Sequence, residues 1–142
     1  MTKRFIMVLM LICFVGFNVT GCSGSESKKD SVKTADVPAL DKSKLENKLQ
    51  QKKYKMVEFG GRHCIPCKKM QPILAELSES YGDSISIVTV YVQEQLQLGR
   101  DYKVRLIPTQ VIFDKEGKEV FRHTGFWEKS EILAKWKELK II

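Results

Sequence analysis

The chain has 142 residues, 43% of them hydrophobic and 29% charged, enough for one packed domain with a targeting or linker segment beside it. Its net charge of +7 comes from 24 basic and 17 acidic side chains, with no dense basic stripe interleaved with aromatics. That sets nucleic-acid binding aside and leaves a solvated basic surface, which would also favour anionic lipid headgroups or acidic partners.

The N-terminus reads as an address. "MTKR" is a short basic lead, and "FIMVLMLICFVGF", residues 5–17, is a continuous apolar run. It is shorter than the roughly 18–20 residues that a membrane-spanning helix needs, and small residues follow it, as in a secretory signal peptide. Val19-Thr20-Gly21-Cys22 resembles the lipobox of bacterial lipoproteins. The resemblance implies cleavage before Cys22 and acylation of its thiol, whereas a plain signal peptide would leave Cys22 incidental. Several acyl chains together give a stable anchor. Ser23 follows the cysteine, a pattern that in double-membraned bacteria implies sorting to the outer membrane. The expected organisation is a signal peptide over 1–21, a flexible tether over 22–38 and one domain over 39–142. The tether is Ser/Lys-rich and lacks apolar periodicity.

From residue 39 onward the pattern alternates. "ALDKSKLENKLQQKK" carries Leu40, Leu45 and Leu49 on a polar background and predicts a first helix. "YKMVEFG", residues 54–60, predicts a strand. Residues 65–81 predict a helix whose Met70, Ile73, Leu74 and Leu77 share one face, ended by Gly82-Asp83. "SISIVTVYV", residues 84–92, has the β-branched, apolar character of a strand buried on both faces. "QEQLQLGRDYKV" predicts a short helix. "TQVIFD" and "KEVFRH" predict a hairpin turning at Gly117. "EKSEILAKWKELK" predicts a last helix with Ile132, Leu133, Trp136 and Leu139 inward. A strand–helix–strand unit followed by a hairpin implies an α/β fold of three layers, a central mixed sheet flanked by helices.

Four cysteines divide unevenly. Cys13 lies inside the apolar run and Cys22 just after it, so only Cys64 and Cys67 belong to the domain, and no structural disulfide framework is possible. In "GGRHCIPCKKMQP" the pair lies between a strand and a helix. A helix start offers free backbone N–H groups and partial positive charge, and both stabilise a thiolate. Cysteines so placed in CxxC motifs titrate at roughly 3.5–7.5 instead of about 8.5. Cys64 is the expected attacking thiol and Cys67, three residues on, the resolving thiol. Pro66 suits the first helical turn. The competing chemistry is a metal site. Structural zinc usually takes four ligands, and beyond the two cysteines only His63 and His123 are histidines, with His63 and Cys64 an awkward chelating pair. Copper(I) could be held by the two thiolates, though a proline facing the pair would crowd the metal.

"HCIPCKKMQPILAEL" resembles the active-site helix of the thioredoxin superfamily, with Pro72 at the family's kinking proline. "VRLIPTQVIF" is similar to the segment bearing the family's cis-proline, here Pro108, and "HTGF" sets Gly125 where the family keeps a glycine. The resemblance covers roughly residues 40–140. It implies a thioredoxin-like fold and a thiol–disulfide oxidoreductase without cofactor or bound metal. It also implies that Ile107, Pro108 and Thr109 contact substrate, the Ile107 backbone pairing with a substrate segment as a short extra strand. Glu58 falls where the family has a buried acid that takes the proton of the second cysteine. As a strand residue Glu58 fits equally well as a partly exposed carboxylate, and the family's companion lysine is replaced by Thr89. His63 replaces the usual tryptophan and Ile65 the usual glycine; protonated, His63 would favour the Cys64 thiolate. No first strand is evident before the opening helix. Arg62 either adds positive field at the thiolate or is solvated. His123 reads as structural and Trp127 as core.

Such a protein would act as a monomer, extracytoplasmic and lipid-anchored to a bacterial membrane. It would reduce disulfide-containing protein substrates, drawing electrons from a membrane thiol-transfer donor. The alternative is an extracytoplasmic copper- or zinc-binding protein built on the CxxC pair.

Overall fold

The computed structural model describes residues 39–142. The expected signal peptide, Cys22 and the expected tether lie outside the described residues. In chain order the elements are α1 (Lys42–Leu49), β1 (Tyr54–Gly60), α2 (Ile65–Tyr81), β2 (Ile85–Tyr91), α3 (Leu96–Asp101), β3 (Thr109–Phe113), β4 (Glu119–Thr124) and α4 (Lys129–Glu138). The first helix begins where Asp41 accepts the Lys44 N–H at 3.0 Å, an N-cap that satisfies one orphan donor. The hairpin turns at Gly117, whose φ of 83° suits a residue without Cβ.

One four-stranded sheet runs in the order β2-β1-β3-β4. β1 and β2 are parallel, and β3 lies antiparallel to both β1 and β4. The expected mixed sheet is therefore present. Side-chain alternation splits its strands between two cores. Met56, Ile87 and Ile112 face one side, where Met70, Leu74 and Leu77 of α2 meet Ile132 and Trp136 of α4. Val57, Phe59, Val88, Val90 and Val111 face the other, under Leu45 of α1 and Leu98 of α3. Helices thus cover both faces.

Trp127 belongs to the first core, stacked on the His123 ring at 4.7 Å and tilted against Phe121 at 5.4 Å. The chain also has a trace of a strand before α1. Ala39 makes a lone parallel bridge to Thr89, and the Leu40 N–H donates to the Thr89 carbonyl at 2.9 Å. One residue of pairing carries no alternation, which is why the sequence shows no strand there. Among the described residues, no helix is long and apolar enough to cross a membrane.

Candidate active site

β1 carries the chain up to Gly60, a turn follows, and Cys64 becomes the N-cap of α2 with extended backbone angles (φ −81°, ψ 114°). Its Sγ takes the place of a capping oxygen and accepts the Cys67 N–H at 3.2 Å. The helix start is thus aimed at this sulfur, and a thiolate there would meet both the N–H and the helix dipole. Pro66 occupies the first turn, where its missing N–H leaves no bond unmade. Cys64 and Cys67 are joined as a disulfide, with Cα atoms 5.2 Å apart. Their exposure differs. Cys64 is half-buried, whereas Cys67 is 2% exposed. An incoming disulfide reaches the first sulfur and not the second.

Below Cys67 lies Glu58, which is 0% exposed. This decides between its two sequence readings in favour of the buried carboxyl. Burial pushes its pKa up to about 8, because the charged form loses its water. Gly60 explains how it meets the cysteine. A Cβ added to Gly60 would stand 3.5 Å from Glu58 Oε1 and 3.6 Å from Cys67 Sγ. Carboxyl and sulfur therefore flank the same small space beside a residue that has no side chain to fill it.

The second wall comes from the loop before β3. The Ile107–Pro108 peptide is cis. Phe59 pairs with Thr109 in the β1–β3 ladder, and the next step of that register sets Pro108 across from Gly60, the residue beside Cys67. Gly125, with φ of 101°, donates its N–H to the Pro108 carbonyl at 2.8 Å and ties the loop to the end of β4. Thr109 is buried, and its hydroxyl donates to the Leu106 carbonyl at 2.7 Å. Of the three residues assigned to substrate, only Ile107 keeps part of its side chain at the surface.

His63 is exposed in the turn before Cys64. Arg62 is neither free nor aimed at the sulfur. It pairs with Glu94 and lies 4.2 Å over the Tyr91 ring. A cavity of about 210 Å³ opens beside these groups, lined by Gly61, Arg62, Cys67, Lys68, Gln71 and Tyr91.

Sequence reasoning passed over three residues. Ile65 is 70% exposed within the motif, Leu106 is 67% exposed in the proline loop, and Phe126 is exposed next to Gly125. The three are exposed apolar side chains on the motif, on the proline loop and just after Gly125. A fourth is Gln110, buried in β3 directly opposite Glu58. Its signal was available, because "TQVIF" places a glutamine at an inward position of a buried strand.

A disulfide-forming CxxC at a helix start, its second sulfur over a buried carboxyl and beside a cis-proline loop, defines a thiol–disulfide oxidoreductase. The family model described as Thioredoxin matches residues 36–138. The thioredoxin of Mycobacterium tuberculosis is 28% identical over 110 residues, covering 78% of this chain and 94% of that protein. Thioredoxin Y, chloroplastic, of Oryza sativa is 33% identical over 78 residues, covering 55% of this chain and 46% of that protein. Among solved structures, thioredoxin NaTrxh from Nicotiana alata aligns with a TM-score of 0.65 at 28% identity, covering 72% of this chain and 91% of that one. The chain belongs to the thioredoxin family.

Proposed function

We propose that this protein is a lipid-anchored disulfide reductase working outside the cytoplasmic membrane. The asymmetry of the pair carries the catalytic part of this reading: Cys64 is accessible and capped by an N–H, whereas Cys67 is buried over Glu58. The Cys64 thiolate attacks one sulfur of a protein disulfide. A Cys64–substrate bond forms, and the other substrate sulfur leaves as a thiolate. Glu58 takes the Cys67 proton, and the Cys67 thiolate attacks Cys64 Sγ. The second substrate sulfur departs, and the Cys64–Cys67 disulfide closes. A carboxyl near pH 8 is well matched to a thiol near 8.5, so proton transfer between them is close to balanced.

Ile65, Leu106 and Phe126 supply apolar contact for the substrate chain, and the Ile107 backbone supplies strand-like pairing. His63, exposed beside Cys64, adds positive charge when protonated and favours the thiolate. The reductive direction is supported by the compactness of the domain. α2 is continuous from Ile65 to Tyr81 and leads straight to β2 at Ile85, with no inserted domain among the described residues. The anchor rests on Val19-Thr20-Gly21-Cys22 after an apolar run, and the tether over 22–38 gives the domain reach toward substrates and a membrane thiol-transfer donor.

The Cys64–Cys67 reduction potential tests the direction. A value of about −270 mV or lower supports a reductase, whereas one near about −120 mV makes the protein an oxidant and overturns the reading. Mass spectrometry of the mature N-terminus tests the anchor, since an unmodified Cys22 thiol would remove it.

A further inference from the structure

Four strands place polar side chains in one row across the sheet. Thr89 of β2 is in register with Glu58 of β1, Glu58 with Gln110 of β3, and Gln110 with His123 of β4. Strand alternation puts all four on the α2 side, because Met56, Ile87, Ile112 and Phe121, each two residues away, pack in the core beneath α2 and α4. Thr89, Glu58 and Gln110 are each 0% exposed. Among the described residues, the Thr89 hydroxyl, both Glu58 oxygens and both Gln110 amide atoms have no hydrogen-bond partner. Three adjacent buried polar residues with every such atom unpaired are unusual, since buried polar groups are normally bonded.

In-register neighbours have Cβ atoms about 4.5–5.5 Å apart, so rotation about side-chain bonds brings an amide and a carboxyl into contact. The chemistry of the row is specific. An amide offers a donor at one end and an acceptor at the other, and a hydroxyl is both. Each can bond to either protonation state of a carboxyl, somewhat more strongly to the charged one, without the fixed charge of a buried lysine. Burial alone shifts Glu58, with no charge contributing. The groups facing it are Thr89 from β2, Gln110 from β3 and Cys67 from α2. Only Cys67 titrates among these, and only when reduced. His123, one strand further, is turned to the Phe126 carbonyl, with Nε2 at 3.2 Å.

We propose that Gln110 is the positioning partner of Glu58, its amide turning over to accept from the carboxylic acid and to donate to the carboxylate, with Thr89 answering from the other side. This rests on Glu58 being the proton acceptor of Cys67. When Glu58 takes that proton, its O–H donates to Gln110 Oε1. When the proton returns to the Cys67 thiolate, Gln110 Nε2 turns back toward the carboxylate.

The test is an NMR titration of the oxidised protein, following the Glu58 side-chain carboxyl carbon and the Gln110 side-chain amide together. The Gln110 amide signals should shift with the Glu58 midpoint, and Glu58→Gln should remove that transition. Gln110→Leu should raise the Glu58 midpoint by about one pH unit, because a hydrogen bond to a charged acceptor is worth more than one to its neutral form. It should also slow resolution of the mixed disulfide about tenfold at neutral pH, as the carboxylate fraction falls. Gln110 signals that stay flat through the Glu58 transition, or an unmoved midpoint in Q110L, overturn the proposal. Should Q110L fail to fold, the wild-type titration still decides. If E58Q resolves mixed disulfides as fast as wild type, the proton-acceptor reading itself fails, a result independent of Gln110.

Discussion

Glu58 occupies a position that a stability argument would give to an apolar side chain. It is fully buried and lacks a hydrogen-bond partner, yet it flanks the same space as Cys67 Sγ. With its pKa up at about 8, the base form grows as pH rises toward that value, so resolution by Cys67 should accelerate from pH 6 to 8 and then level off. Stopped-flow measurement of mixed-disulfide decay checks this. Glu58→Gln should flatten the profile and slow the step on the order of 10²-fold, the usual scale of general base catalysis. Cys67→Ser should leave attack by Cys64 intact and accumulate the mixed disulfide, visible as an adduct by mass spectrometry, whereas Cys64→Ser should form none. The sequence marked both cysteines because their spacing is local. It left Glu58 undecided because burial depends on which strands flank β1, and nothing in "YKMVEFG" states that. Gln110 went unnoticed for the same reason: its importance comes from standing opposite Glu58, a fact of register.

At the scale of elements, α2 and the loop before β3 form the two jaws of the site, and each is fixed by a backbone hydrogen bond. The Cys67 N–H points to Cys64 Sγ, and the Gly125 N–H points to the Pro108 carbonyl. Gly125 has open space around a would-be Cβ, so its φ of 101° is the constraint. Gly125→Ala should cost roughly 1–2 kcal/mol in stability, the penalty of left-handed backbone for an L-residue. It should also raise KM for a protein disulfide more than it lowers kcat, since the jaw that meets substrate loosens while the cysteines stay put. Chemical denaturation and steady-state kinetics measure the two effects. The elements themselves were largely legible. "YKMVEFG" and residues 65–81 coincide with β1 and α2, because a short, mostly apolar run and a four-residue apolar stripe leave little choice of period. α1 is shorter than "ALDKSKLENKLQQKK" suggests, since Asp41 caps it late and Gln50 closes it early.

For the whole molecule, the buried carboxyl sets a pH slope on folding. Glu58 ionises near its ordinary 4.5 in the unfolded chain but only at about 8 when folded. Between those values the folded state holds one more proton, so stability falls as pH rises through that window and levels off above it, by on the order of 5 kcal/mol in total. Denaturant midpoints for the wild type should decline from pH 5 to 8, and those of Glu58→Gln should not. At the same scale, the proposed anchor predicts that Cys22→Ser moves the protein from the membrane to the soluble fraction on cell fractionation, with thiol–disulfide exchange by the domain unchanged. Layer order and the two-sided core followed from strand–helix alternation, but the join between Ala39 and Thr89 did not, because a single bridge leaves no pattern in the chain. That join has a practical side. β2 is an edge strand of seven residues, and an open edge invites pairing with a second molecule. Ala39 and Leu40 are a two-residue shield at Thr89. A shortened protein beginning at Asp41 would keep both cores and the cysteines but lose the shield. It should self-associate at concentrations where one beginning at Ala35 stays dispersed, which light scattering would reveal. The two residues that lead into α1 thereby also guard the sheet against its own kind.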